Sequence, residues 1–247
     1  MRRLPHPGRG FTQGLLDCGD GSVLESTGLY GQSQLRSYRL GADSFVASAT
    51  LSADFFGEGI CRAGDSIWQL TWRERTAVRW DAATLELRDL VSYNREGWGI
   101  CAVPGEGGEA GEVITSDGTS ELVRRDPGTL QPRGLIKVRC QGQRVRGLND
   151  LAWSAGRVWA NVAPTSTIAG IDPATGEVTD LVDAGAAAES RWADPQAIMN
   201  GIAALPQPGE FLLTGKGWRW IRQVRLVPAG PGASPARLLE EAGRFFS

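Results

Sequence analysis

The chain has 247 residues, of which 41% are hydrophobic and 22% are charged, and its net charge at pH 7 is −2. This charge provides no basic field for nucleic acid, no basic amphipathic stretch indicates a membrane surface, and no apolar run approaches the roughly 20 residues of a membrane span. Residues 1–5 lack the apolar segment of a signal peptide, so as written the chain is expected in the cytoplasm, with export only if the true start lies upstream.

One tripeptide recurs five times, with Gly or Asp in the middle and Leu or Ile last. Its copies, spaced by 45, 40, 51 and 51 residues, are Gln13-Gly14-Leu15, Glu58-Gly59-Ile60, Trp98-Gly99-Ile100, Asn149-Asp150-Leu151 and Asn200-Gly201-Ile202. A period of about 40–50 residues in a strand-rich chain is typical of a β-propeller, with one four-stranded blade per period. The sequence therefore predicts one all-β domain, a five-bladed β-propeller with a central channel. Its blades are expected at about 11–50, 56–93, 97–139, 147–183 and 199–247.

Each repeat has the same predicted order of elements. A short apolar strand follows the tripeptide, a Gly-containing turn closes a hairpin, and a second apolar strand returns. In three repeats the third strand ends in Asp-x-x-Thr, beginning at Asp81, Asp126 and Asp172, which is typical of a type I turn. Residues 184–195 are predicted as a loop. Residues 236–247 are predicted as a short helix or an outer strand, joined by a Pro- and Gly-rich linker at 228–235.

The first residues of the five tripeptides are predicted to form a ring around one end of the channel, which we call the ring residues. They are Gln13, Glu58, Trp98, Asn149 and Asn200. The second strands return to this end, and they are expected to place five residues beside the ring: Gly28, Trp72, Gly118, Ala163 and Lys216. Phe11 and Phe56 lie two residues before Gln13 and Glu58. Because the ring residues vary while the rest of the tripeptide repeats, we interpret the ring as a binding site.

Glu58 is the only carboxylate among the ring residues. The aromatic side chains of Phe56, Trp72 and Trp98 would exclude water from it and raise its pKa, which suits a general acid/base. Aromatic walls with a few polar groups also fit a small-ligand pocket. The residues alone leave structural roles open: a hydrogen-bonded channel carboxyl for Glu58, core packing for the two tryptophans, and an ordinary surface position for Lys216.

The counts of histidine and cysteine limit metal chemistry. His6 is the only histidine, which excludes a two-histidine metal site and excludes a Ser-His-Asp triad only if His6 is badly placed. The four cysteines form no CxxC pair. Cys61 and Cys101 occupy the same place in two repeats, and we expect them to be buried and reduced.

Ten short motifs occur in order from about Phe11 to about Leu226. They are Phe11-Thr12-Gln13-Gly14-Leu15, Glu25-Ser26-Thr27-Gly28-Leu29-Tyr30-Gly31-Gln32-Ser33, Phe55-Phe56-Gly57-Glu58-Gly59, Gln69-Leu70-Thr71-Trp72, Glu96-Gly97-Trp98-Gly99, Ser116-Asp117-Gly118, Leu148-Asn149, Val158-Trp159-Ala160-Asn161-Val162, Asn200-Gly201-Ile202 and Thr214-Gly215-Lys216. In this order they resemble the plant-type glutaminyl cyclases (glutaminyl-peptide cyclotransferases). That family has a five-bladed propeller and converts an N-terminal glutamine into pyroglutamate with release of ammonia.

The resemblance implies roles for the residues at the predicted site. It implies that Glu58 is the catalytic acid/base. It also implies a set of substrate-binding residues: Phe11, Gln13, Phe56, Trp72, Trp98, Asn149 and Lys216. We add the ring residue Asn200 to this set. The expected partner is a peptide or protein with an N-terminal glutamine, and the expected state is a monomer. We expect no required cofactor and no catalytic metal, while a structural Ca²⁺ ion in the channel is left open.

The chain departs from the family pattern in three places. Ala163 stands where the family usually has Trp, which predicts a gap in the pocket wall, and Asp150 stands where it usually has Glu. A strand before the first motif tends to close the last blade in the family, yet only ten residues precede Phe11 here. Either the start is misplaced or the C-terminal segment closes the ring.

Two other functions remain open from the residues. A calcium-dependent, lactonase-like propeller hydrolase would use Glu58, Asn149 and Asn200 around a central cation. Two observations weigh against this hydrolase. The chain has five repeats where six are expected, and Gln13 and Trp98 occupy ring positions where a cation would need carboxylates. The second alternative is a non-catalytic propeller that binds a peptide end, which Ala163 would fit as the mark of a decayed site.

Overall fold

A computed structural model of the chain describes residues 1–189 and 196–227. After the N-terminal strand β1 (Arg2–Pro5), the first two blades follow the chain without interruption. Blade 1 consists of β2 (Thr12–Asp17), β3 (Ser22–Thr27), β4 (Gln34–Arg39) and β5 (Ala47–Thr50). Blade 2 consists of β6 (Gly57–Ala63), β7 (Ser66–Thr71), β8 (Thr76–Asp81) and β9 (Leu87–Ser92).

The remaining blades repeat the antiparallel order, with one added hairpin between blades 3 and 4. Blade 3 consists of β10 (Ile100–Pro104), β11 (Ala110–Thr115), β12 (Glu121–Arg125) and β13 (Pro132–Lys137). The hairpin that follows it consists of β14 (Arg139–Cys140) and β15 (Gln143–Arg144). Blade 4 consists of β16 (Leu148–Ser154), β17 (Arg157–Val162), β18 (Thr167–Ile171) and β19 (Val178–Asp183). Blade 5 contains β20 (Met199–Ala204), β21 (Glu210–Gly215) and β22 (Trp220–Arg225). Short 3₁₀ turns cover Pro7–Arg9 and Glu106–Gly108. The predicted five-bladed β-propeller is confirmed.

The N-terminal strand closes the ring of blades. Strand β1 pairs antiparallel with β22, from Arg2 opposite Gln223 to Pro5 opposite Trp220, and supplies the outer strand of blade 5. The expectation that the C-terminal segment closes the ring is therefore wrong, because four residues before the first motif suffice for a strand. The predicted linker at 228–235 and the element at 236–247 lie outside the described residues, as does the 190–195 part of the predicted loop.

The turns form as their residue types predict. The Oδ1 atom of Asp81 accepts hydrogen bonds from the backbone amides of Ala83 and Thr84 at 2.8 and 2.9 Å, and Asp126 makes the same two bonds to the amides of its own turn at 2.9 Å. Such side-chain acceptors fix the chain reversal between the third and fourth strands. The same turn chemistry thus recurs in different blades.

The inner strands approach one another closely around the channel. A Cβ atom on Gly59 would lie 2.7 Å from the Cα of Gly99, and one on Gly99 would lie 2.1 Å from the carbonyl oxygen of Asn149. Glycine in the middle of the tripeptide is therefore required by backbone contact between blades. The hydrophobic core fills the spaces between neighbouring blades, where Trp68, Phe211 and Trp218 are fully buried.

The cysteines are free thiols, as expected. Cys61 and Cys101 are buried in the core on neighbouring inner strands, and burial raises the pKa of both thiols. An un-ionised thiol is a weak nucleophile and a weak metal ligand, so both positions serve packing. Within the described residues, no helix has the length and apolar character needed to cross a membrane.

Candidate active site

Three of the ring residues are joined by side-chain hydrogen bonds. Asn200 Nδ2 donates to Gln13 Oε1 at 2.8 Å, and Gln13 Nε2 donates to Glu58 Oε1 at 2.7 Å. The bonded set runs from blade 5 through blade 1 to blade 2, and all three side chains are buried. Because both Gln13 groups are engaged, the amide orientation is fixed and an N–H group points at the Glu58 carboxyl.

The backbone carbonyls of the other two ring residues are bonded to neighbouring blades. The amide of Gly59 donates to the carbonyl oxygen of Trp98 at 2.8 Å, and the Ser116 hydroxyl donates to the carbonyl oxygen of Asn149 at 2.7 Å. The Asn149 side chain is 4% exposed, and its Oδ1 atom accepts no hydrogen bond from the described residues. A buried acceptor of this kind is available to a bound N–H group.

The ends of the second strands lie beside the ring, as the sequence predicts. The amides of Gly28, Trp72, Ala163 and Lys216 each donate to the carbonyl of the residue two positions before a ring residue, at 2.8, 3.0, 2.8 and 3.0 Å. Gly118 differs, since its amide bonds across to Leu148 of the next blade at 3.2 Å. Ala163 itself is 8% exposed, so this position is nearly buried.

An aromatic wall stands on one side of Glu58, with Phe56 at its centre. Its ring centroid lies 6.1 Å from that of Phe11 and 5.4 Å from those of Tyr30 and Trp72. A Cβ atom on Gly28 would lie 2.3 Å from the Phe56 ring, so only glycine leaves room for the wall. Edge-to-face contacts of this kind hold aromatic rings in fixed orientations.

Two residues of the wall carry no role in the sequence-based interpretation. The Tyr30 hydroxyl donates to Glu74 Oε1 at 2.7 Å, and Glu74 Oε2 accepts the backbone amide of Phe56 at 3.4 Å. Tyr30 lies within a quoted family motif, but Glu74 belongs to none of them. Their contact joins blades 1 and 2 across the rim of the site and supports Phe56 from outside.

The electrostatics of the site centre on Glu58 and Lys216. Burial raises the pKa of Glu58 well above its ordinary value; the Lys216 charge opposes this shift and the Asp150 charge adds to it. Burial lowers the pKa of Lys216, and the Glu58 charge opposes that shift. Lys216 Nζ also lies 4.7 Å from the centroid of the Phe11 ring. Burial thus shifts both pKa values toward the neutral forms, and the mutual attraction of the two charges opposes both shifts.

Asp150 occupies the channel where the other blades have glycine. Its Oδ2 atom accepts the backbone amides of Ile202 at 2.8 Å and Leu15 at 3.2 Å, so one carboxyl joins blades 4, 5 and 1. Burial raises the pKa of Asp150, while the amide hydrogen bonds lower it. In the sequence, Asp150 occupies the middle position of the tripeptide, where the other four copies have glycine. That equivalence gives no sign that its side chain connects three blades.

His6 lies outside the ring and does not form a catalytic triad. Its Nε2 atom is 2.9 Å from Glu25 Oε1, and its Nδ1 atom is 2.8 Å from the carbonyl oxygen of Trp218. The Thr12 hydroxyl donates to the same Glu25 oxygen at 2.7 Å. With both ring nitrogens engaged by these groups, His6 holds the junction of blades 5 and 1 and is badly placed for nucleophilic catalysis.

The acidic side chains of the channel accept hydrogen bonds from N–H groups. Within residues 1–189 and 196–227, no group of three or more His, Cys, Asp or Glu side chains is placed to hold a metal. Calcium takes about 6–8 oxygen ligands, whereas the Asp150 carboxyl is bonded to backbone N–H groups and Glu58 to the Gln13 amide. The lactonase-like alternative, which needs several carboxylates around one ion, therefore finds no carboxylate cluster in the described part of the chain.

Comparisons with known proteins agree with this geometry. The family model described as glutamine cyclotransferase matches residues 1–226. A curated relative from Arabidopsis thaliana, named glutaminyl-peptide cyclotransferase, is 32% identical over 233 residues, covering 93% of this chain and 71% of the relative. The crystal structure of Myxococcus xanthus glutaminyl cyclase superposes with a TM-score of 0.83 at 33% identity, covering 93% of this chain and 96% of that one. The chain therefore belongs to the glutamine cyclotransferase family, enzymes that convert an N-terminal glutamine into pyroglutamate.

Proposed function

We propose that Glu58 carries the proton in this reaction and that the other ring and wall residues bind the glutamine. The observation that carries the proposal is the buried Glu58 carboxyl, held by the Gln13 amide at 2.7 Å and raised in pKa by burial. It is the one carboxyl among the ring residues. Its substitution by Gln is the direct test and is argued in the Discussion.

In the proposed steps, Glu58 moves one proton from the attacking amine to the leaving nitrogen. The neutral α-amine of the substrate attacks the carbon of its own side-chain amide, a C–N bond forms, and Glu58 takes a proton from the amine nitrogen. The tetrahedral intermediate then breaks its bond to the amide nitrogen, Glu58 returns the proton to that nitrogen, and ammonia leaves. Because the attack is intramolecular, a pocket that folds the side chain back onto the amine removes much of the barrier.

Asn149 and Lys216 suit the charges that form along this path. The buried Oδ1 atom of Asn149 accepts an N–H of the substrate amine and orients its lone pair toward the amide carbon. The Lys216 ammonium, close enough to influence the pKa of Glu58, stabilises the oxyanion. A fixed charge in a water-poor site stabilises a developing oxyanion far better than it would in water.

The aromatic wall binds the aliphatic part of the glutamine. Phe11, Phe56 and Trp72 form a continuous set of ring contacts, and Arg73 lies 3.8 Å above the Trp72 ring and covers its outer face. Trp98 is placed by Gly118, whose Cβ position would lie 2.7 Å from the indole. Together these rings pack the two methylene groups of the substrate and exclude water from Glu58.

Chelators are expected to leave activity intact. The described residues contain no cluster of His, Cys, Asp or Glu that could hold a catalytic metal, and the proposed steps use only side chains of this chain. We expect kcat and KM for a Gln dipeptide to be unchanged after prolonged treatment with EDTA, measured as ammonia release. Removal of a structural ion would instead lower the melting temperature before it lowered the rate. Complete inactivation at unchanged fold, reversed by added metal, would favour the lactonase-like hydrolase.

Ala163→Trp is expected to change KM more than kcat. The indole would add an aromatic face beside Gly147 and the substrate stem, and a fully buried aromatic side chain contributes about 2–3 kcal/mol. We therefore expect a lower KM for a short Gln dipeptide and a smaller change for a peptide with a bulky second residue. Because Ala163 is only 8% exposed, Ala163→Leu and a melting curve control for overpacking. An unchanged KM for both peptides in the folded variant shows that position 163 does not line the site.

A further inference from the structure

The connection between blades 3 and 4 forms a second concave surface at the active-site end of the propeller. Its hairpin, β14 and β15, lies opposite the loop that follows β11. Together they enclose a groove of about 280 Å³, which we call the basic groove. The groove is lined chiefly by Thr119, Ser120, Lys137, Arg139, Arg144 and Arg146.

The basic groove adjoins the ring residues. Thr119 follows Gly118, which packs on the indole of Trp98. Arg146 precedes Gly147, whose amide donates to the Gly118 carbonyl at 2.8 Å, and Asn149 lies two residues further along the chain. A peptide that leaves the ring between Trp98 and Asn149 therefore passes over the groove.

The lining of the basic groove contains four cationic side chains and one acidic side chain, and Glu177 lies beside Arg139 through a backbone bridge. Glu121, the acidic residue of the lining, is bonded to Arg95 at 2.9 Å. In the described part of the chain, no ion pair joins Lys137, Arg139 or Arg144 to an acidic side chain. This concentration of cations occurs in a chain whose net charge is −2.

The hairpin holds two arginines at a cost to folding. Arg139 and Arg144 are direct cross-strand partners, and like charges placed opposite each other destabilise a strand pair. Arg139 Nη1 donates to the Gly142 carbonyl at 3.0 Å, which fixes the guanidinium beside the turn. An anion placed between the two guanidinium groups relieves their repulsion and accepts several charge-assisted hydrogen bonds.

We propose that the basic groove binds acidic side chains that follow the N-terminal glutamine, so that the enzyme prefers acidic peptides as substrates. The inference rests on the proposed function of the ring. The groove volume fits one or two carboxylate side chains. The low net charge of the chain provides no extended positive field of the kind that a nucleic-acid backbone requires.

The test is a series of short peptides that begin with Gln, contain otherwise neutral residues, and carry one Asp-Glu pair moved stepwise away from the N-terminus. We expect one position of the pair to lower KM by about three- to tenfold relative to the neutral peptide, because exposed ion pairs contribute about 0.2–1 kcal/mol each. The preference should vanish in high salt, and kcat should stay the same because the groove side chains take no part in the proposed proton transfer.

The double variant Arg139→Gln/Arg144→Gln is expected to lose this preference and keep the KM and kcat of the neutral peptide. Arg62→Gln is the matched control. Arg62 is exposed and donates to a carbonyl of its own hairpin turn at 3.0 Å. It lies at the end of strand β6 that is away from the ring. A preference that is absent at every position, or that persists in the double variant, overturns the proposal.

Binding of the same peptides to the Glu58→Gln protein separates this proposal from the proposed function. Calorimetry should give a lower Kd for the acidic peptide than for the neutral one, and the double substitution should remove the difference. If the wild-type protein turns over no peptide but this difference in Kd persists, the proposed function fails and the groove assignment stands. If turnover is normal and the Kd values are equal, the groove assignment alone fails.

Discussion

Glu58→Gln is expected to lower kcat for cyclisation by about 10²–10⁴-fold, the usual effect of removing a general acid/base. The substitution is nearly isosteric, and the new amide oxygen still accepts the Gln13 Nε2 hydrogen bond that is 2.7 Å long in the native protein. The lost property is the ability to take and return a proton. Ammonia release from a Gln dipeptide measures the rate, and circular dichroism and a melting curve establish the fold.

The matched control is Glu74→Gln. Glu74 is a carboxyl at the rim that supports Phe56 and Tyr30 without joining the ring, so its loss should alter kcat far less than the loss of Glu58. Equal effects of the two substitutions would show that Glu58 acts through the wall. Full activity of a folded Glu58→Gln protein would exclude Glu58 as the proton carrier.

The raised pKa of Glu58 also fixes the sign of a stability change. The folded state binds the Glu58 proton more tightly than the unfolded state, so this group contributes stability that is lost as pH rises above the ordinary value and through the folded pKa. At neutral pH an ionised Glu58 therefore costs stability. We expect the free energy of unfolding of the Glu58→Gln protein at neutral pH to equal or exceed that of the wild type.

Asp150→Ala is expected to lower the free energy of unfolding by about 2–6 kcal/mol, since each buried donor left without a partner costs about 1–3 kcal/mol. The substitution removes the acceptor of the Leu15 and Ile202 amides, which lie in different blades. Urea denaturation of both proteins measures the difference. Asp150→Asn keeps an acceptor oxygen, so it should retain a large part of the stability.

A free energy of unfolding of Asp150→Ala within the experimental error of the wild type would contradict this account of the channel. Equal losses in Asp150→Ala and Asp150→Asn would show that the charge of the carboxyl, and not its acceptor oxygen, is what the amides require. Either result can be read from the midpoint and the slope of one pair of denaturation curves.

The sequence predicts the propeller well because each blade is built from neighbouring segments. The tripeptide, the hairpin turns and the Asp-x-x-Thr turns recur within single repeats, so local patterns determine both the strands and the ends of the strands that approach the ring. The positions of Trp72 and Lys216 beside Gln13, Glu58 and Asn200 follow from that count alone.

Contacts between distant segments could not be predicted in the same way. Strand β1 is four residues of mixed polarity, and only its pairing with β22 at the far end of the chain makes it a strand. The hydrogen bond between Tyr30 and Glu74 joins two blades, and no repeated sequence pattern marks the two residues as partners. Asp150 matches the tripeptide by position, yet its carboxyl accepts the amides of Leu15 and Ile202 from two other blades.

The pairing of β1 with β22 determines the order in which the enzyme becomes active during synthesis. Blades 1 to 4 are each made from contiguous strands, so they can form as the chain leaves the ribosome, whereas β1 waits for its partner until β22 has been made. The hydrogen bond from Asn200 to Gln13 spans the same junction between blades 5 and 1. The site is therefore complete only after the ring has closed, and catalytic competence is the last property that the nascent chain acquires.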